Sequence, residues 1–144
     1  PAIVDFALQS MDGADTTVAI LNQPNFYVML LVNDFSNSEE WHNEYFDTLA
    51  AKLAVKHLPF YIVTSDKEKA VQLFGSNKNV SILLCDGIVI KTAARVNPTY
   101  FIMQLANIKA KYSYLDIAAV LRSIDTVPEN KDYDPAYFIT DSLP

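Results

Sequence analysis

Cys85, His42 and His57 are the residues from which chemistry could be built in this 144-residue chain, which holds one cysteine and two histidines. A single cysteine excludes an internal disulfide and any CxxC redox or zinc motif. Dithiol exchange also needs a resolving thiol, which the sequence lacks. One-cysteine chemistry, peroxidatic or redox-sensing, stays open. It requires a helix N-terminus or a cationic neighbour to depress the thiol pKa. Cys85 precedes a helix expected over residues 88–94, with Lys91 and Arg95 one and two turns on. Asp86 beside it opposes thiolate formation, and Ile82-Leu83-Leu84 before it predicts burial. A buried free cysteine ordinarily behaves as a small hydrophobe.

Glu39 and His42 lie three apart on a long helix expected over 39–55. That spacing could hold a metal or an acid/base pair, but no third ligand is evident. An acid in a first helical turn is ordinarily a partner of the helix dipole, as His57 is near the opposite end. Lys91 and Arg95, four apart, could form a basic mouth for an anionic or peptide group, or simply a solvated face. Trp41, Tyr45 and Tyr100 could line an apolar groove, since aromatic residues dominate recognition surfaces. Core packing is the simpler account for at least two of the three.

Composition narrows the classes. Hydrophobic residues make up 51% and charged residues 19%, a globular balance sufficient for one domain with a sizeable core. The net charge of −6 argues against a nucleic-acid partner, because no basic patch is present to displace counterions. The three glycines, Gly13, Gly75 and Gly87, form no phosphate-cradling loop. The longest apolar run, residues 26–32, is far short of the about 20 residues that cross a bilayer. A start at Pro1 without a signal sequence points to a chain cleaved or cut from something longer.

These residues must be positioned by an alternating set of elements. The nearly continuous apolar run 26–33 reads as a central strand covered on both faces. Ser36 with Glu39, or Asn37 with Glu40, fits a capping box for the helix 39–55, whose Phe46, Leu49 and Leu53 share one face. A second parallel strand is expected over 58–64. A capping box from Ser65 to Glu68 then opens a helix that runs to Phe74 and stops at Gly75. The short apolar run 80–85 reads as a strand or an extended segment. After Pro98 come strands 100–105 and 108–112, joined by a turn in which Asn107 suits a left-handed conformation. Ser113 with Asp116 caps a last helix striped by Ile117, Val120, Leu121 and Ile124. Residues 16–21 form a short strand or helical turn. The tail 126–144 mixes Pro128, Glu129 and Asp132 with Tyr133, Tyr137, Phe138 and Ile139. It reads as a surface segment with tucked aromatics, or as a docking tail.

Several stretches carry a family resemblance. A helix, then Asn97-Pro98-Thr99, then the apolar strand Tyr100-Phe101-Ile102-Met103 resembles the cis-proline element of thioredoxin-like proteins. Phe6, Leu8, Asp12 and Gly13 resemble the F-x-L-x-x-x-D-G opening of the TlpA and peroxiredoxin types. Val32-Asn33-Asp34-Phe35 is similar to the V-N-F-W strand end of TlpA-like oxidoreductases. Counting on from it puts Glu39 and His42 where that family has its two cysteines, so the resemblance implies the fold without its dithiol. The order of Asp86, Lys91-Thr92, Arg95 and Asn97-Pro98 resembles the soluble thioredoxin-like domain of DoxX-type membrane proteins of Bacteroidetes bacteria.

The expectation is therefore an α/β domain over residues 1–125, a thioredoxin-like three-layer α/β/α sandwich with a mixed central sheet and a cis-proline loop. Its function would be redox-inactive binding, with no cofactor and no metal, at a surface of Ser36, Asn37, Glu39, His42, Arg95, Asn97, Pro98 and Tyr100. The partner would be a protein or peptide, by resemblance within a DoxX-type membrane assembly, with no membrane insertion by this segment itself. The alternatives are a one-cysteine thiol oxidoreductase working through Cys85 and a purely structural accessory domain.

Overall fold

The computed structural model describes residues 6–133. Its centre is β1 (Phe26–Val32), seven apolar residues of which all but Phe26 are buried. β1 pairs in parallel with β2 (Phe60–Thr64) and antiparallel with β4 (Thr99–Gln104). β2 pairs in parallel with β3 (Ser81–Leu84), and β4 antiparallel with β5 (Asn107–Ser113), giving the order β3-β2-β1-β4-β5. The period of two in a strand divides β1 between two cores. Val28, Leu30 and Val32 enter one, while Tyr27, Met29 and Leu31 enter the other.

Helices close both faces. α1 (Thr17–Leu21) contributes Ile20 to the second core. α2 (Ser38–Trp41) and α3 (Glu44–Val55) lie on the first, with α4 (Lys67–Phe74) adding Ala70 and Phe74. α5 (Gly87–Ala93) covers the second core with Ile90, and α6 (Ile117–Thr126) covers the first with Val120 and Ile124. The result is the expected three-layer sandwich with a mixed sheet, and the Asn97–Pro98 peptide bond is cis. Truncating a wholly buried residue such as Leu30 to alanine costs about 2–5 kcal/mol, because the cavity cannot close completely.

Several local expectations are corrected. The helix expected over 39–55 is two helices, broken at His42 and Asn43. The Asn43 side chain accepts from the Tyr45 and Phe46 N–H groups and starts α3 afresh. Neither proposed capping box forms, because the Asn37 side chain is engaged elsewhere and Ser36 bonds to Asp34. The cap of α4 is Asp66, one residue later than expected, accepting from Lys69 N–H at 3.1 Å. Gly75 ends α4 with φ −59, not left-handed. Its lack of a side chain matters for space, since a Cβ would lie 2.6 Å from the Val71 carbonyl oxygen.

In the hairpin, Leu105 takes the left-handed conformation (φ 53), not Asn107. Its N–H donates to the Gln23 carbonyl at 2.9 Å and its own carbonyl accepts from the Tyr27 hydroxyl at 2.6 Å. Two long-range bonds thus hold a conformation that a leucine rarely takes. Farther along, the ladder bulges between Ile102 and Met103, which face Ala110 and Ile108, so Lys109 is the extra residue. Ser113 caps a 3-10 turn over Tyr114–Asp116, not α6 itself.

Past α6, Val127 and Asn130 are buried, and Asn130 N–H donates to the Lys56 carbonyl at 2.9 Å. The Tyr133 ring lies 4.8 Å from His57. Tyr137, Phe138 and Ile139 lie outside the described residues. The Lys56 ammonium donates to the carbonyls of Ile124, Asp125 and Val127 at 2.7, 3.3 and 2.6 Å. A cation at a helix C-terminus satisfies orphan carbonyls and meets the negative dipole end. Lys56→Ala should therefore lower the unfolding free energy by about 1–2 kcal/mol in urea titration. An unchanged midpoint would show that these three bonds contribute nothing net.

Candidate functional site

Two loops meet at one end of the sheet. One leaves β1 through Asn33, Asp34 and Phe35 into α2; the other leaves α5 through residues 94–98 into β4. The Asn97 side chain joins them. Its Oδ1 accepts from Asn33 N–H at 2.8 Å and its Nδ2 donates to the Asp34 carbonyl at 3.0 Å. From the other side, Asn37 Nδ2 donates to the Asn97 carbonyl at 2.9 Å, and Asn37 Oδ1 accepts from the Trp41 indole N–H at 3.2 Å. Thr99 Oγ1 closes the loop by donating to the Val96 carbonyl at 2.6 Å. The start of α2 and the cis-proline loop therefore face each other, as the resemblance implies. Their facing polar groups are spent on one another.

Asp34 is held by its own turn. Its carboxylate accepts from the Ser36 hydroxyl at 2.5 Å and from Ser36 N–H at 3.0 Å. These bonds, the hydroxyl first, hold its pKa below the ordinary carboxylate value.

The expected binding surface is only partly a surface. Ser36, Glu39 and Arg95 are exposed, with Val96 beside them at 41%. Asn37 and Asn97 are half-buried within the amide lock, and Pro98 is buried. Tyr100 is corrected outright: at 1% exposure it is a first-core residue, its ring 6.4 Å from Phe60. A strand covered on both faces buries every position, so adjacency to the loop gives Tyr100 no access to solvent. Of the three aromatics, Trp41 and Tyr100 are core and only Tyr45, 55% exposed, faces water.

Glu39 and His42 do not share a helix face, because α2 ends at Trp41. The His42 ring packs 4.6 Å from Phe74 and 5.4 Å from Phe46, an aromatic neighbour and not a ligand arm. Among the described residues, no group of three His, Cys, Asp or Glu side chains gathers as a metal would require. Lys91 and Arg95 also part company, since α5 ends at Ala93 and Ala94 is extended.

Cys85 follows β3, and its N–H donates to the Thr64 carbonyl at 3.0 Å. Two strands separate it from β4, so three inter-strand spacings, about 14 Å, lie between the thiol and the Pro98 loop. The side chain is 6% exposed. Burial first, and the Asp86 charge second, push the thiol up to about 11. At neutral pH about one molecule in ten thousand then carries a thiolate. The Asp86 carboxylate caps α5 by accepting from Ile88 and Val89 N–H, so the helix end is already satisfied by an anion.

One cationic feature was only half legible, through Arg95 and not Lys111. A cleft of about 420 Å³ lies between the end of α5 and the edge of the sheet, lined among others by Arg95, Thr99, Lys111 and Ser113. Lys111 belongs to β5, distant in sequence. Only its place in an exposed alternating strand could have hinted at it.

Asn97→Ala removes two side-chain bonds and orphans Asn33 N–H. We expect a loss of about 2–3 kcal/mol in urea unfolding, with faster hydrogen exchange at the Asn33 amide. Retained stability and protection would mean that the lock is incidental. Asp34 has a lowered pKa in the folded state, so its contribution is present above the ordinary value of 3.8 and is lost as pH falls through the lower folded value. An Asp34 carboxyl that titrates at or above 3.8 by NMR would contradict this.

No family model and no curated protein matches the sequence. Solved structures do match in shape. The bacterioferritin comigratory protein of Xanthomonas campestris, described for its alkyl peroxide reduction activity, superposes with a TM-score of 0.58 at 12% identity, over 87% of this chain and 98% of that one. A thiol:disulfide interchange protein from Bacteroides sp. superposes with a TM-score of 0.56 at 15% identity, over 87% of each chain. Identities this low establish a shared fold: this chain has the thioredoxin-like fold of those proteins.

Proposed function

We propose that this thioredoxin-like domain works by binding and has no thiol chemistry. The observation that carries the reading is the amide lock. Where a thioredoxin-like oxidoreductase needs a nucleophile facing the cis-proline loop, this chain sets Asn37 against Asn97 and ties the oxygen and nitrogen of each side-chain amide into the lock. Its one thiol sits at the far strand, buried and high in pKa. The exposed rim of the lock, Ser36, Glu39, Arg95 and Val96, is the face offered to a protein or peptide.

On the resemblance of residues 84–98 to the DoxX-associated domain, the partner belongs to a bacterial membrane assembly, and this domain serves as its accessory part. No helix among the described residues is long and apolar enough to cross a membrane. The competing reading, a one-cysteine thiol oxidoreductase, needs Cys85 as a ready thiolate.

Thiol kinetics separate the two. In the native protein at pH 8, Cys85 should react with a disulfide reagent at least about 100-fold more slowly than in urea, as expected of a thiol well above ambient pH and shielded from solvent. It should also leave an alkyl hydroperoxide unconsumed. Rapid native labelling, or oxidation of Cys85 to a sulfenic acid with turnover, would overturn the binding reading in favour of the enzyme.

A further inference from the structure

The chain carries 17 acidic and 11 basic residues, so cations in it should find carboxylate partners easily. Arg95 and Lys111 make no salt bridge among the described residues, and they come from different elements to line the same cleft. No acidic residue lines it; the other polar side chains there are Thr92, Thr99, Tyr112 and Ser113. Lys111 lies with its ammonium 5.0 Å from the centre of the Phe101 ring, which holds the charge over the sheet face on the α5 side.

On its sheet side the cleft is lined by Thr99 of β4 and by Lys111, Tyr112 and Ser113 of β5. β5 is the last strand in the order, with no strand beyond it among the described residues. Tyr114 N–H donates to the Pro98 carbonyl at 3.1 Å, and Tyr112 faces Tyr100 two residues on. Antiparallel pairs alternate between bonded and unbonded, so the intervening Ser113 and Lys111 turn their main-chain groups away from β4. Lysines on an edge strand ordinarily guard against pairing with another chain. Here that account falls short, because Arg95 arrives from a separate loop to place a second positive charge in the same cleft.

We propose that this cleft takes an extended acidic segment of a partner protein. Its carboxylates would meet Arg95 and Lys111, and its main chain would pair with the outward groups of Lys111 and with the Ser113 N–H, as a strand added to a sheet edge. Charge complementarity selects the occupant: two cations with no salt bridge among the described residues, in an otherwise acidic molecule, repel basic segments and leave neutral ones without a reward. The inference rests on the binding reading above and names its ligand. Thiol kinetics decide that reading and the peptide titration decides this one, so each can fail alone.

The test is an amide-resolved NMR titration of the whole chain with a blocked pentapeptide of alternating glutamate and valine, and with its glutamine counterpart. The glutamate peptide should shift amides at 92–96 and 111–113, more strongly at low salt, where exposed charges are less screened. Arg95→Gln with Lys111→Gln should weaken binding about tenfold or more, while Lys78→Gln on a distant loop should not. Both cleft residues are exposed, so melting temperatures should hold. The double reversal Arg95→Glu with Lys111→Glu should move the preference to a lysine-valine peptide. Equal binding of the glutamine peptide, indifference to the double substitution, shifts located elsewhere, or reproduction of the shifts by acetate or phosphate at matched concentration would each overturn the proposal. The last result would reassign the cleft to small anions.

Discussion

The end of the sheet where the start of α2 meets the cis-proline loop depends on one side-chain amide. Asn97 supplies an acceptor to Asn33 N–H and a donor to the Asp34 carbonyl, and its own carbonyl takes a bond from Asn37. An amide suits this place because it carries both polarities on one planar group; a carboxylate would lack the donor and a hydroxyl the reach. Through these bonds the exit of β1, the first turn of α2 and the start of β4 become one rigid unit. Tyr114 N–H adds the hairpin to it through the Pro98 carbonyl.

That constraint also decides which polar groups between these loops are already engaged. A nucleophile works when its partners are arranged for a charge that develops during reaction. Here both amides hold one another's loops in the resting state, and the neighbouring ring of His42 packs against Phe46 and Phe74. Cys85 is equally committed, serving in the second core beside Leu83 and Ile90. The same fold carries thiol chemistry in the two structural neighbours; in this chain the corresponding loops are tied together by side-chain amides.

Much of the architecture was legible because it rests on local or strongly periodic signals. The apolar run of β1, the cap at Asp86 and the stripe of α6 each speak within a few residues. The rest depended on contacts across the chain. Asn97 reads as an ordinary residue before proline, since its side-chain partners lie 64 and 63 positions away. The break at Asn43 hides within a helical pattern, because an asparagine capping a second helix looks like a polar surface residue of the first. Leu105 defies turn preferences for the sake of Gln23 and Tyr27, both distant. Tyr100 was misplaced for a geometric reason: nearness to a surface loop along the chain says nothing of a strand sealed on both faces.

The bulge at Lys109 settles where charge can reside on this sheet. A hairpin of regular pairing from the same turn would set Lys109 opposite Ile102 and Lys111 opposite Tyr100, on the face packed against α6. Two ammonium groups would then be driven into hydrocarbon, at a cost no neighbouring carboxylate offsets. By absorbing one residue, the irregular ladder turns Lys111 back to the side of Phe101 and keeps Ala110 and Tyr112 inward. The register error is thus the device that keeps the first core dry and leaves a positive charge at the molecule's rim.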